Sequence, residues 1–113
     1  MIIQEMVELL HAEVVAGGEK IDNHISGGYA SDLLSNVMSQ AKGGDVWVTM
    51  HGHQNIVAVA SLLGLSAVII AGHMQPEQQA VIKANEEGVP LLVTDLSVFE
   101  VVGLLYSKGI NGI

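Results

Sequence analysis

The chain has 113 residues, enough to close one core and too few for a catalytic domain with a regulatory one attached. Half of the residues are apolar and only 14% are charged, which excludes a disordered chain; with one tryptophan and one phenylalanine, the core has to be built from Val, Ile, Leu, Ala and Met. A formal net charge of -8, with Lys20, Lys42, Lys83 and Lys108 as the only cations besides histidine, argues against nucleic acid binding, and the absence of cysteine excludes disulfides, zinc–thiolate sites and iron–sulfur clusters.

The missing arginine also removes the bidentate fork that best fits phosphate or carboxylate, so any bound anion would depend on backbone N–H groups, histidines or a single lysine. The amino-terminal run MIIQEMVELLHAE carries acids where a signal peptide would carry bases, and no apolar stretch approaches the roughly 20 residues that span a bilayer. A cytoplasmic protein that makes no membrane contact is therefore expected.

Ile2 to His11 carries apolar residues at helical spacing, with Gln4, Glu5 and Glu8 opposite, and predicts a first helix. Glu13 to Ala16 predicts a short strand ended by Gly17 and Gly18. An extended segment is expected over Ile21 to Ile25, running into Ser26, Gly27 and Gly28. Ser31 or Asp32 is then expected to cap a helix reaching about Ala41, with Leu33, Leu34, Val37, Met38 and Ala41 on one face.

From Gly43 onward a unit repeats: glycine, apolar strand, polar turn, helix. The strands are Val46–Met50, Ala67–Ala71 and Leu91–Val93, and the helices are about Asn55–Leu63, Pro76–Glu87 and Ser97–Ser107. Gly64, Gly88 and Gly109 stand where left-handed helix caps belong, and Pro76 suits a first helical turn. Strands separated by helices imply crossover connections and a parallel sheet. The expected fold is α/β, one three-layer domain over residues 1–113, with a mostly parallel sheet of about four to five strands and flanking helices.

Two helices, NIVAVASLL and VFEVVGLLY, are more apolar than a surface helix should be, so each is either sandwiched in the core or buried against another chain; since not every helix of so small a domain can be internal, a homodimer burying one of these faces is expected. The final residues Gly109 to Ile113 resemble the start of a strand, either at the edge of the sheet or leading into a partner domain.

In a parallel sheet, ligands bind beyond the carboxyl ends of the strands, in the crevice where strand order reverses. The turns at those ends contain His51, Gly52 and His53, then Gly72 and His73, then Thr94, Asp95 and Ser97. Gly52 and Gly72 would admit close backbone approach to a ligand, helix N-termini would offer N–H groups, and histidine can hydrogen-bond a base, a ribose or a phosphate. Three readings stay open for these residues: a small-molecule pocket, a metal site built from His51, His53, His73 and Asp95, or plain helix capping and turn bonding, with Asp95 and Ser97 capping the last helix. Gly27 and Gly28 could form an anion nest, though a turn is the simpler expectation, since the lysine and spacing of a phosphate loop are missing. Asp32 is expected as a cap or first-turn acid, with the same cleft as the alternative. His11 and His24 have no evident partners, and Trp47 is expected in the core or an interface. No catalytic constellation emerges: there is no nucleophile elbow, no paired zinc-binding helix motif and no Walker motif.

The segment GGYASDLLSNVMSQAKGGDVWVTMHGHQNIVAVASLLGLSAVIIAGH, followed by GVPLLVTDLSVFEVVGLLY, resembles the DRTGG domain family. The run from Gly28 to Ser35 (Gly-x-x-x-Asp-Leu-Leu-Ser), the strand and helix around Asn55, and Pro90 to Thr94 carry the likeness, while the name-giving string itself is absent. The resemblance implies a regulatory or ligand-binding domain of the kind found beside cystathionine-β-synthase-type (CBS-type) domains and in phosphate acetyltransferases. It also implies similarity to the amino-terminal domain of HPr kinase/phosphorylase. It carries no catalytic residue and names no cofactor.

The leading expectation is a homodimeric, non-catalytic sensor that binds a small metabolite, a nucleotide among the candidates, at the histidine-bearing edge. The rival is a module that docks on a partner enzyme through its apolar helices. A metal-binding protein using His51, His53 and His73 ranks third.

Overall fold

The computed structural model describes residues 1–112. Its elements in chain order are α1 (Ile3–Leu10), β1 (Glu13–Ala16), β2 (Gly27–Ala30), α2 (Leu34–Gln40), β3 (Asp45–Thr49), α3 (Gln54–Leu63), β4 (Ala67–Ile70), α4 (Gln78–Glu87), β5 (Leu91–Val93) and α5 (Val98–Ser107), with a 3-10 turn at Gly18–Lys20. The strands form one five-stranded sheet in the order β1-β5-β4-β3-β2. β2, β3, β4 and β5 are parallel, and β1 joins the far edge antiparallel to β5, pairing Glu13 with Val93.

Strand order therefore never reverses within the parallel part. Each crossover steps one strand in the same direction, and crossovers of one hand then keep their helices on one face. The packing agrees: Val37 of α2, Ile56, Val57 and Ala60 of α3, and Ala80 and Ala84 of α4 share a core with Trp47, Val68, Ile70 and Leu91. The opposite face holds α1 and α5, whose Ile3, Met6, Leu10, Val101 and Leu105 pack on Val46, Val48, Ile69 and Leu92. Odd and even positions of β3, β4 and β5 serve opposite cores, so a strand such as Ala67–Ile70 is apolar throughout. No helix among the described residues is long and apolar enough to cross a membrane.

Several expectations needed correction. The second strand is Gly27–Ala30 rather than Ile21–Ile25; the earlier segment instead holds a turn and one antiparallel bridge between Ile2 and His24. The double glycine is thus strand, not turn. A Cβ on Gly27 would meet the Asn111 carbonyl oxygen and the Asp45 carboxylate, both at 2.9 Å, so the strand can run there only without a side chain. Leu33, not Ser31 or Asp32, stands at the cap position of α2. Of the face expected for that helix, Val37 is buried while Leu33 and Met38 are exposed. Pro76 precedes the cap residue of α4, Glu77, so it lies ahead of the first turn. Gly64 and Gly88 are left-handed caps as expected, and Gly109, also left-handed, follows the cap residue Lys108. Ile110 to Gly112 form no strand, although the Asn111 carbonyl accepts the outward Gly28 N–H of edge strand β2 at 3.0 Å. Ile113 lies outside the described residues.

Candidate functional site

With no internal reversal of strand order, no crevice opens between helices on opposite faces. A cleft forms instead where the loops leaving β2 and β3 separate. It has a volume of about 530 Å³ and is lined by Asp32, Leu33, Leu34, Ser35, His51, His53, Asn55 and Ile56. That size lies within the range of small-molecule pockets.

Asp32 anchors the cleft. Its Oδ1 accepts the Thr49 hydroxyl at 2.6 Å and the Met50 N–H at 2.9 Å, tying the end of β2 to the end of β3. This bond pulls the carboxylate away from the helix cap it was expected to make. Partial burial acts to raise the Asp32 pKa, but the Thr49 and Met50 hydrogen bonds and the nearby His51 outweigh it and hold the carboxyl below its usual value. Thr49 is buried, and its oxygen also accepts the His51 N–H at 3.2 Å, which turns the chain into the loop.

His51 and His53 differ in how far they are committed. The His53 Nδ1 accepts the Asn55 N–H at 3.0 Å and caps α3, while its Nε2 lies 4.0 Å from a Glu77 carboxylate oxygen. The exposed His51 ring takes no hydrogen bond among the described residues, though it lies near enough to Asp32 to favour that carboxylate's charge. Between them, Gly52 is pressed against the next loop: a Cβ there would stand 2.5 Å from the Gln75 carbonyl oxygen and 2.7 Å from the Pro76 Cα. Its carbonyl accepts the Glu77 N–H at 2.8 Å. The close approach that requires glycine is therefore to neighbouring backbone.

A second group occupies the same edge, over β4 and β5. His73 has a left-handed backbone (φ 62) and meets Asp95 through Nδ1 and Oδ1 at 2.5 Å. The hydrogen bond and charge of Asp95 raise the His73 pKa, with the pair open to water. Gly72 donates to the Leu96 carbonyl at 2.7 Å and lies beneath the Met50 methyl. The buried Thr94 hydroxyl donates to the Leu10 carbonyl at the end of α1 and accepts the Leu96 N–H, while Ser97 caps α5 by accepting the Glu100 N–H. Asp95 does not cap that helix. Among the described residues no three His, Asp or Glu side chains are placed to hold a metal ion. His53 is turned to its helix and His73 to Asp95, so the three histidines do not converge.

The family model of the DRTGG domain matches residues 5–107. The chain belongs to the DRTGG domain family. A solved structure with a similar fold comprises the CBS and DRTGG domains of the regulatory region of Clostridium perfringens pyrophosphatase, complexed with its activator diadenosine tetraphosphate. The TM-score is 0.78 at 16% identity, with 91% of this chain and 45% of that chain covered, so this DRTGG domain spans less than half of its neighbour. The likeness at that identity is one of fold. None of the curated proteins matches the chain in sequence.

Of the residues singled out from the sequence as ligand candidates, His51 and His53 line the cleft of this DRTGG domain, with Gly52 behind them, and so does Asp32, for which the cleft was the alternative to a helix cap. Gly72, His73, Thr94, Asp95 and Ser97 share the edge but not the cleft, and Gly27 and Gly28 lie at the start of β2, toward its opposite end. Leu33, Ser35 and Asn55 also line the cleft; in the sequence they stood out only as helix residues and as parts of the two stretches that carry the family resemblance, not as ligand contacts.

Proposed function

We propose that this DRTGG domain is a non-catalytic regulatory sensor that binds a small ligand, with nucleosides and nucleotides as the leading class, in the cleft at the carboxyl ends of β2 and β3. One observation supports this above the others: the cleft is open, of ligand size, and lined by an ionised carboxylate and two imidazoles on a rigid strand edge. The neighbouring pyrophosphatase region, with its nucleotide activator, lends weight to the ligand class. A catalytic role lacks a nucleophile, since the His73–Asp95 pair orients no serine or threonine among the described residues.

Thermal unfolding against a panel of nucleosides, nucleotides and divalent metals tests the proposal. A ligand at 100 times its dissociation constant raises stability by about 2.7 kcal/mol, a shift of several degrees. His51→Ala should abolish that shift and leave the ligand-free melting temperature unchanged, because the ring makes no hydrogen bond among the described residues. A panel that moves nothing would count against ligand binding.

A second reading has its own observation. Phe99 is 88% exposed, and Phe99, Val102 and Tyr106 form one stripe along α5, beside an apolar groove of about 230 Å³ that reaches β2. This stripe suits docking of a second copy or a partner enzyme. If it does so, Val102→Glu would change the sedimentation behaviour or partner capture while His51→Ala would not.

A further inference from the structure

Acidic residues occur at both ends of the sheet, with Glu19, Asp22, Asp45, Glu86 and Glu87 toward its amino end, but no lysine stands at the carboxyl end. At the carboxyl end stand Glu13, which opens β1 opposite Val93, together with Asp32, Glu77 at the cap of α4, Asp95, and Glu100 in the first turn of α5. The lysines lie elsewhere. Lys42 precedes β3, Lys20 rests against Gly88 ahead of β5, and Lys108 follows α5. Lys83, within α4, is 3.9 Å from Glu87 farther along that helix. No lysine lines the cleft, and the chain has no arginine.

Building on the proposed ligand site, we infer that the cleft selects an uncharged nucleoside through its ribose diol and rejects the corresponding polyphosphate. Asp32 spends Oδ1 on Thr49 and Met50, while Oδ2 takes no hydrogen bond among the described residues, and the exposed side chain lines the cleft. A carboxylate oxygen in that state accepts one or both hydroxyls of a vicinal diol, the contact that a ribose presents. Leu33, 64% exposed at the rim, offers apolar surface to a flat ring, and the unbonded His51 ring can donate to or stack upon a base. A triphosphate would bring three to four negative charges, on the ordinary ionisation of phosphate, to an edge with five carboxylates and no lysine.

Calorimetric titration of adenosine, guanosine, cytidine and uridine, each against its 5′-triphosphate in buffer containing EDTA, tests the inference. At least one nucleoside should bind ten-fold or more tightly than its triphosphate, and its 2′-deoxy form should lose ten-fold. Asp32→Asn keeps an Oδ1 acceptor for Thr49 and Met50, and should weaken nucleoside binding ten-fold while narrowing the gap to the triphosphate. A triphosphate that binds more tightly than its nucleoside without metal, or a deoxynucleoside that binds equally well, would overturn the selection and leave a ligand site standing. Should no compound of either class bind, the ligand site and its selectivity fall together.

Discussion

Replacing Gly52 with alanine isolates the contact that holds the two middle carboxyl-end loops together. The new methyl would lie 2.5 Å from the Gln75 carbonyl oxygen, 2.7 Å from the Pro76 Cα and 3.2 Å from the Gln75 carbonyl carbon, where ordinary contact begins at 3.4 Å. All three are backbone atoms, so no rotamer change can relieve the overlap and the loops must part. Overpacking of this kind costs about 1–3 kcal/mol. Parting the loops also strains the 2.8 Å bond from the Glu77 N–H to the Gly52 carbonyl, about 1 kcal/mol more. Reduced freedom of the unfolded chain returns about 0.5–1 kcal/mol, which leaves a net loss of roughly 1–3.5 kcal/mol. At about 4 °C per kcal/mol for a domain of this size, the melting temperature should fall by roughly 4–14 °C. Gly103→Ala is the companion, since a Cβ there meets nothing within 4 Å and the residue sits inside α5. It should raise stability by about 0.5–1 kcal/mol. Both are read by calorimetry or circular dichroism melts. A Gly52→Ala protein melting within 2 °C of the native one would refute the argument that backbone contact dictates glycine at the cleft.

The other predictions concern single bonds. Gly17→Ala places a Cβ 2.2 Å from the Val89 carbonyl oxygen at φ +68, and should cost about 3 kcal/mol or more in a urea melt. Asp32→Ala strips the acceptor from buried Thr49 and from the Met50 N–H; the loss should be about 1 kcal/mol, small because the carboxylate is largely exposed. Since the folded-state pKa of Asp32 is lowered, its contribution is present above the unfolded carboxyl pKa of 3.8 and is lost as the pH falls through the folded value, so native and Asp32→Ala stabilities should converge in acid. His73 titrates the opposite way. Its folded pKa is raised above 6.5, so the pair with Asp95 contributes below that pH and fades as the pH climbs through the folded value. Proton NMR should find the His73 midpoint above 6.5, and Asp95→Asn should return it toward 6.5; an unchanged midpoint would show that the pair does not form in solution.

The repeated unit of apolar strand, polar turn and helix was legible from Gly43 onward because period and punctuation are local properties. Val46, Val68 and Leu92 sit in strands, and Gly64 and Gly88 end helices, wherever the rest of the chain goes. The resemblance to the DRTGG family was legible in the same stretch. β2 was misplaced because its clearest requirement, a glycine where Asn111 and Asp45 crowd in, is set by residues 84 and 18 positions away, as their numbers show. Strand order was equally out of reach of local pattern. Only the assembled sheet determines that β2 to β5 follow one another without reversal and that β1 returns antiparallel beside β5. The cleft follows from that order. Asp32 looked like a helix cap, and became the cleft's anchor because β3 brings Thr49 and Met50 beside it. The sequence determined which residues stand at strand ends. The tertiary structure decided which of those ends are neighbours, because hydrogen bonds across a sheet join residues that no sequence spacing relates.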